Sequence, residues 1–479
     1  MATEFQPFGF LTTPMDYSMC NLDSRLPTLG RSGVLLFCVL LSAWTGQVAA
    51  QPYDLAVANV TLIDGTGSPA QTGANVLVRG GRIAAITTGP LRHEADKVID
   101  GAGRYLIPGL IDAHTHPFPV EASFPQFIHY GVTSILITGG STASRANLAR
   151  VRALSDAGTV PSPRVFHTSQ HVTREGRHPV KTYPSPNWVE GETVYYMREA
   201  SDAERIVKAI ADQAIVGIKV TIEDGPEPPF VKMIPLEFVT ALVEVAHARG
   251  IEVFAHVSTM EGLRVAEAAG ADHLVHFVGL NIDWKRDKAL VERLRARDAS
   301  WVTTLMVDKM LFYPAHPEWL AEVEATGLFD ADEIKRLRNG RSAEESLAIL
   351  GDLYGLAEPT LETVIRPQVE DLRELHKRGF NLVVGTDMGN DFIFPGLSLH
   401  EELDLLAMGF TPAELIPMAT RNAAEMLGVL DDLGTLEVGK RADMVLLDEN
   451  PLVDIRHTRA IRAVFRGGRE QSRLTSNPR

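Results

Sequence analysis

The central part of this 479-residue chain alternates short apolar runs with stretches that have the spacing of amphipathic helices. This alternation is typical of a parallel sheet or barrel, in which a helix follows each strand. The apolar runs, in chain order, are LIDAH, TSILIT, RVFHT, VGIKVT, IEVFAH, HLVHF, SWVTTL and NLVVGT. Eight parallel strands close a TIM-type barrel. We therefore predict an α/β fold with a (β/α)8 barrel over residues 108–430.

The two segments that flank this region have a different residue pattern. Residues 51–107 and residues 431–470 contain short β-branched runs separated by Gly, Ser and Pro, which indicates strands and hairpins. Because such pieces cannot bury a core alone, we predict that both chain ends form one small β-sandwich domain. Residues 471–479 are expected to form a tail.

One interval interrupts the regular alternation. Residues 310–372, between the seventh and eighth predicted strands, are long and largely helical, and include the charged stretch DADEIKRLRNGRSAEE. The simplest interpretation is a solvated helical surface. Since segments inserted after a barrel strand lie over the site-bearing end, a lid over the substrate pocket is the competing interpretation.

The N-terminal segment has the layout of a secretory signal. An apolar run, VLLFCVLL, follows two arginines and precedes a stretch that ends in small residues at Ala50. We predict a signal peptide over residues 1–50 and a periplasmic or secreted protein. The run is shorter than the roughly 20 residues that span a bilayer, so we expect no stable membrane anchor, although an uncleaved anchor is the alternative. Cys20 and Cys38 both lie in this segment, so the mature chain would contain no disulfide.

Net charge limits the kinds of partner. The formal net charge is -15, and the chain has no run rich in Lys and Arg. Proteins that bind phosphate backbones carry a basic patch, so we expect no nucleic-acid partner.

Titratable residues stand at the ends of several predicted strands. His114 and His116 close the first one, and the period of two in a strand points both side chains to one face. His256, His276 and Asp387 close later strands. Because these ends converge on one face of a barrel, the side chains should meet there and form a metal site. Taken alone, two histidines near a strand end can equally be hydrogen-bonded residues of a turn.

Lys219 is unusual because it lies inside the apolar run VGIKV. An unpaired ammonium group is costly to bury. The lysine could extend its amine to solvent, pair with a carboxylate such as Glu223, or belong to the same site as the histidines.

Several strings of the sequence resemble the amidohydrolase superfamily. They are LIPGLIDAHTHP, IKV, AHV, LVHF and GTD, in that order, followed by TRNAAEMLGVLDDLGTLEVGKRADMVLLDENPLVDI. The chain is most similar to the branch of imidazolonepropionase-like proteins, Xaa-Pro dipeptidases and ochratoxin-type amidases, and the similarity covers nearly the whole mature chain. This resemblance implies a metal-dependent hydrolase of a carbon–nitrogen bond. We expect a small-molecule or dipeptide-like substrate and a homo-oligomer.

The resemblance also implies a set of metal ligands. Two divalent metal ions, expected to be zinc, would be bound, although manganese, iron and cobalt suit the same ligand types. The more buried ion would be held by His114, His116 and Asp387, and the more exposed one by His256 and His276. Lys219 would be N6-carboxylated and bridge both ions.

Catalytic and substrate-binding roles follow from the same resemblance. Asp387 would act as general base and then as general acid toward the leaving nitrogen. His178, in GRHP, matches a histidine that stabilises the oxyanion or holds the substrate, although it can equally be a surface histidine. Arg177, Lys181 and Tyr183 are candidates for binding a substrate carboxylate, in a loop that can equally be solvated.

Two departures from the family pattern concern the pocket wall. The loop after His116 is short, and Ile137, Thr138 and Gly139 stand where the branch usually has an Arg-Asp pair. The leaving group therefore stays open. The alternatives are a cyclic amide or ester hydrolase on the same site, or a non-catalytic binding protein that keeps the barrel.

Overall fold

The computed structural model describes residues 52–225, 231–277 and 279–475. The signal peptide predicted for residues 1–50 falls outside these ranges. None of the helices within them combines the length and the apolar character needed to cross a membrane.

The described strands are β1 (Tyr53–Leu62), β2 (Gln71–Arg79), β3 (Arg82–Thr88), β4 (Ala95–Asp100), β5 (Tyr105–Pro108), β6 (Leu110–Thr115), β7 (Val132–Ile137), β8 (Arg164–His167), β9 (His171–Thr173), β10 (Val194–Tyr196), β11 (Ile218–Thr221), β12 (Val253–His256), β13 (His273–Val275), β14 (Ser300–Val302), β15 (Asn381–Val383), β16 (Met444–Leu447), β17 (Ile461–Arg466) and β18 (Arg469–Glu470). The described α-helices are α1 (Val120–His129), α2 (Arg145–Ala157), α3 (Asp202–Ile210), α4 (Leu236–His247), α5 (Met260–Ala269), α6 (Lys288–Arg295), α7 (Met306–Lys309), α8 (Pro317–Ala325), α9 (Ala331–Arg338), α10 (Ala343–Tyr354), α11 (Leu361–Lys377), α12 (Leu397–Leu406), α13 (Pro412–Met418) and α14 (Arg421–Met426). Short 3-10 helices cover Met310–Ala315 and Ile455–Arg459.

The central region is α/β and contains two parallel sheets. Their strand orders are β6-β7-β8 and β10-β9-β11-β12-β13-β14-β15. All eight strands predicted from the apolar runs are present, and the short strands β9 and β10 lie in addition between the third and the fourth. The apolar runs form strands because they are short and wholly buried; every residue of β7, for example, is buried.

The helices that follow these strands pack against them along one apolar face. In α3 the buried residues are Ala203, Ile206, Val207 and Ile210, which have the spacing of a single helical face. Helix α2 begins at Ser144, whose side chain accepts a hydrogen bond from the Asn147 N–H, and ends at Gly158 in the left-handed conformation. These alternating units direct the C-terminal ends of the parallel strands toward one side.

A separate sheet contains strands from both flanking segments, in the order β18-β17-β16-β5-β1-β2-β3, with β4 also paired to β1. The junction between the segments is the antiparallel pair β5 and β16, in which Pro108 lies opposite Met444. Apolar side chains from both parts, including Val57, Leu446 and Phe465, pack into one cluster. The two segments therefore come together in one sheet, while the sandwich form and the domain boundaries stay predictions.

Candidate metal centre

The predicted ligands lie at the C-terminal ends of the parallel strands. His114 lies in β6 and Lys219 in β11, and His256 ends β12. His116 directly follows β6, His276 directly follows β13, and Asp387 lies four residues after β15. Five of the six line one cavity, and the sixth, His114, is grouped with His276 and Asp387. His116 and His256 are half-buried, and the other four are buried. The sheet topology thus brings together residues that are up to 273 positions apart in the sequence.

Asp387 is the centre of the first group. Its Oδ1 atom lies 3.1 Å from Nε2 of His114 and 3.0 Å from Nε2 of His116. Ligand atoms of His114, His276 and Asp387 all lie within 4.8 Å of one another. Burial opposes ionisation of Asp387, but its contacts with His114, His116 and His276 outweigh burial and hold the pKa of Asp387 well below its usual range.

The hydrogen bond of His116 indicates which of its nitrogens carries the proton. Nδ1 of His116 lies 3.0 Å from the carbonyl oxygen of Gly139, which can only accept, so Nδ1 donates. In the neutral ring, Nε2 then has a free lone pair, and it lies 3.2 Å from Nε2 of His114. Burial, followed by the charge of Lys219, lowers the pKa of His114 to about 3, so this ring is neutral near pH 7. Neutral imidazoles converging on a carboxylate are a donor set that suits a divalent cation.

The second group consists of His178, Glu223 and His256, whose ligand atoms also lie within 4.8 Å of one another. His256 contacts Glu223 through Nε2 and lies 2.9 Å from Nε2 of His276 through Nδ1. His276 in turn places Nδ1 2.9 Å from Oγ1 of Thr304. The contact between His256 and His276 joins the two groups into one centre.

Lys219 is fully buried, and its Nζ atom has no hydrogen-bond partner. Both simple alternatives for this lysine are therefore wrong: its amine does not reach solvent, and Glu223 contacts His256 instead. Burial lowers the pKa of Lys219 to about 7, against the opposing charges of Asp387 and Glu223. A neutral amine is the form that reacts with carbon dioxide. An orphaned amine between imidazoles and carboxylates fits a metal centre with a carboxylated lysine.

A cavity of about 850 Å³ opens above these residues. This size suits a small organic molecule. His178 lines the cavity and is 3% exposed, so the surface-histidine alternative is wrong. Its Nδ1 lies 2.6 Å from Oγ1 of Thr182, and its Nε2 lies 3.9 Å from Oε2 of Glu223. The ring is thus held through Nδ1, and Nε2 faces Glu223.

The three candidate substrate-binding residues have different positions. Tyr183 lines the cavity and packs edge-on against His178, with ring centroids 5.5 Å apart. Arg177 is half-buried and Lys181 is exposed, and neither belongs to the cavity wall. Of the three, Tyr183 is therefore the residue that a molecule in the cavity can contact.

The segment between β14 and β15 forms one side of the cavity. Its contributions come from the 3-10 helix, the end of α9 and helix α10, and include Met310, Leu337, Arg341, Ile349 and Leu353. Its outer surface is charged, with Arg336 paired to Asp391 at 2.6 Å. The segment therefore lines the cavity as well as presenting a solvated surface. Of the two interpretations of residues 310–372, the lid fits these contacts better than a purely solvated surface.

Sequence reasoning missed several residues of the site. Glu223 was considered only as a partner for Lys219, and it lies two residues beyond the end of β11. His171 lines the cavity directly opposite Lys219 in the register of β9 and β11. Asp112 is fully buried and accepts hydrogen bonds from the Thr386 hydroxyl at 2.7 Å and the Thr386 N–H at 3.1 Å. Asp112 thereby fixes the segment that carries Asp387.

Known proteins are similar to this chain in sequence and in fold. The chain is 24% identical to an imidazolonepropionase of Brevibacillus brevis over 379 residues, which cover 74% of this chain and 77% of the relative. A Xaa-Pro dipeptidase structure with bound methionine superposes with a TM-score of 0.65 at 19% identity and covers 87% of this chain and 99% of its own. The ochratoxinase of A. niger superposes with a TM-score of 0.66 at 20% identity. The superposition covers 88% of this chain and 96% of the ochratoxinase chain.

The sequence also matches the profile of the amidohydrolase family over residues 105–470. This match spans most of the chain and includes all six predicted ligands. The chain therefore belongs to the amidohydrolase family and is a hydrolase that acts on carbon–nitrogen bonds.

Proposed function

We propose that this protein hydrolyses the carbon–nitrogen bond of a small amide or peptide-like substrate at a centre of two divalent metal ions. The observation that carries the proposal is the buried, unpartnered amine of Lys219 beside two joined groups of neutral imidazoles and carboxylates. The amidohydrolase family is metal-dependent, which agrees with this donor set. A non-catalytic binding protein is disfavoured because a molecule that only binds a ligand does not need such a centre.

Two sets of residues would hold the ions. His114, His116 and Asp387 would hold the more buried one, and His256 and His276 the more exposed one, with Glu223 as a further neighbour of the second. A carboxylated Lys219 would bridge both, and zinc is the metal we propose. Such ions supply Lewis-acid activation of water and of a carbonyl group.

The protein's own residues supply the proton transfers and the positioning. Asp387 is ionised at neutral pH and lies at the bottom of the cavity, so it can accept a proton from water and pass it to the leaving nitrogen. His178 has its Nε2 atom directed toward Glu223, and in the tautomer with the proton on Nε2 it can donate a hydrogen bond to the oxygen that becomes negatively charged. Tyr183 packs edge-on against the His178 ring and so helps to hold its orientation.

Dipeptides and N-acyl amino acids are the substrate classes that we propose as the first candidates. A cyclic amide is the second candidate, since a relative of this chain is an imidazolonepropionase. An ester at the same site is a third possibility within the same chemistry.

We also infer that the parallel strands close into a barrel. The Ala113 N–H donates to the Val384 carbonyl at 3.1 Å, next to β6 and β15, and the Val216 N–H donates to the His167 carbonyl at 3.0 Å, next to β8 and β11. These bonds lie at the two gaps between the parallel sheets. A secreted or periplasmic homo-oligomer remains our proposal for location and assembly.

The test is turnover of a library of dipeptides and N-acyl amino acids by the metal-loaded protein. We expect at least one substrate to be cleaved, and Asp387→Asn to lower its kcat/KM by about 10²–10⁴-fold. Asp156→Asn, which changes an exposed carboxylate on α2, serves as the control. Unchanged turnover in Asp387→Asn would contradict the proposed mechanism.

A further inference from the structure

Helix α10 presents apolar side chains to the cavity that the protein itself does not bury. Ile349 and Leu353 are four residues apart, so they lie on one face of the helix, and both line the cavity. Within the described residues, neither side chain packs into a buried apolar cluster. Leu353 is 37% exposed. Apolar groups left open beside a reaction centre indicate a ligand that covers them.

The other apolar side chains of α10 pack against the core, so only the Ile349–Leu353 face of the helix is left open. Leu350 is fully buried in the main core, and Leu347 and Tyr354 pack against the same core. The helix therefore has one apolar face that secures it to the protein and a second that faces the cavity.

A second side chain of the cavity wall also has an exposed apolar surface. The ring of Tyr183 is 46% exposed and lies next to His178. Tyr183 and Leu353 line the same cavity as Lys219, His256 and Asp387. At about 850 Å³ it has room for a drug-sized molecule, which is more than the two sides of an ordinary amide bond require.

We infer that the substrate carries one bulky apolar group, an alkyl chain or an aromatic ring, that lies between Tyr183 and the Ile349–Leu353 face of α10 while the scissile bond lies at the metal centre. This inference rests on the proposed function, and it names the substrate class that the function leaves open. Leu353 and Ile349 are then specificity-determining residues, since they contact the part of the substrate that does not react.

The test uses alkyl hydroxamates from acetohydroxamate to octanohydroxamate. A hydroxamate headgroup binds divalent metals, so it anchors the ligand at the metal centre and leaves the alkyl chain in the cavity. The chain can represent the substrate group on either side of the scissile bond. Binding to the metal-loaded protein is measured by calorimetry, which does not depend on turnover. We expect affinity to rise with chain length by up to about fourfold per buried methylene group. Leu353→Asn should reduce this rise, whereas Val453→Asn, a change at a 74% exposed valine outside the cavity, should leave it unchanged.

Three other outcomes overturn the inference. Affinity that stays flat along the series, with acetohydroxamate still bound, contradicts the apolar contact alone and leaves the proposed function standing. A failure of every hydroxamate to bind contradicts the metal centre, and the inference falls with it. If Leu353→Asn changes the oligomeric state in sedimentation analysis but leaves the chain-length dependence intact, a second copy of the chain covers this face.

Discussion

The hydroxyl group of Tyr354 donates a hydrogen bond to Oδ2 of Asp308 at 2.5 Å and accepts one from the Gly279 N–H at 3.0 Å. Tyr354 is the last residue of α10, whereas Gly279 lies shortly after β13 and Asp308 lies in α7. The Tyr354 hydroxyl thus links a helix that lines the cavity to the segment after β13 and to α7.

We predict that Tyr354→Phe weakens substrate binding more than the chemical step. The loss of these hydrogen bonds loosens α10 over the cavity, and we expect KM to rise by about two- to tenfold with a smaller change in kcat. Steady-state kinetics measure both constants. Tyr313→Phe is the matched control, because the Tyr313 hydroxyl bonds Glu401 outside the cavity wall. Equal changes in KM for the two variants would contradict this role.

Replacement of Lys219 should remove metal ions as well as activity. We expect Lys219→Ala to lower the metal content and to reduce kcat/KM by more than about 10³-fold, because the centre loses its bridging group. Metal content is measured by mass spectrometry of the purified protein. Added propionate should restore part of the activity if the lysine acts as a carboxylate. Lys208→Ala, at an exposed lysine of α3, controls for the loss of a positive charge. Full metal content in Lys219→Ala would rule out the bridge.

His178 should contribute to the reaction without being a metal ligand. We predict that His178→Asn lowers kcat by about 10²–10³-fold, the usual effect of removing a donor to a developing oxyanion. Thr182→Val, which removes the partner of Nδ1, should have a smaller effect because the ring remains. Metal analysis of both variants is the control. If His178→Asn lost metal in proportion to activity, the residue would be a ligand instead.

Glu402 should make stability depend on pH. Burial raises the pKa of Glu402 from 4.5 to about 7, against hydrogen bonds from the Thr303 hydroxyl and the N–H groups of Leu305 and Met306. The folded chain then binds more protons than the unfolded chain between these values, so this group makes stability fall as pH rises from about 4.5 to about 7.

The change Glu402→Gln removes that contribution. The free energy of unfolding of the wild type, relative to the variant, should fall by about 1 kcal/mol per pH unit between pH 5 and pH 7 and then level off. Thermal unfolding of both proteins across this range measures the difference. Glu344→Gln, at an exposed position of α10, should show no such trend. A relative stability that rises with pH would mean that the pKa of Glu402 is lowered by folding.

The sequence predicted the strands, and it predicted which residues the fold brings together at the candidate metal centre, because both depend on local patterns. Wholly buried strands appear as continuous apolar runs, and the position of His114 or Asp387 at the end of such a run determines which side of the sheet it occupies. The cost of burying an ammonium group marked Lys219 as unusual, but it left three alternatives open. The choice among them came from the histidines at neighbouring strand ends and from the family resemblance.

Other features depend on contacts that no local pattern specifies. Glu223 lies beyond the end of β11 in an acidic, Gly-containing segment that is typical of a turn, so its contact with His256 required the fold. Strands β9 and β10 have three residues each, too short for a recognisable period. The predicted cationic residues Arg177 and Lys181 share a loop with Tyr183, and only the path of that loop decides which side chain faces the cavity.

The pairing of β5 with β16 has a consequence for biosynthesis. Pro108 and Met444 are partners in that sheet, yet a ribosome that adds about 5–20 residues per second needs some tens of seconds to make the chain between them. During this time β5 is present without β16, and the free edge of β5 can pair with other chains. A cell that makes this protein must keep the nascent polypeptide apart from its neighbours until translation is nearly finished.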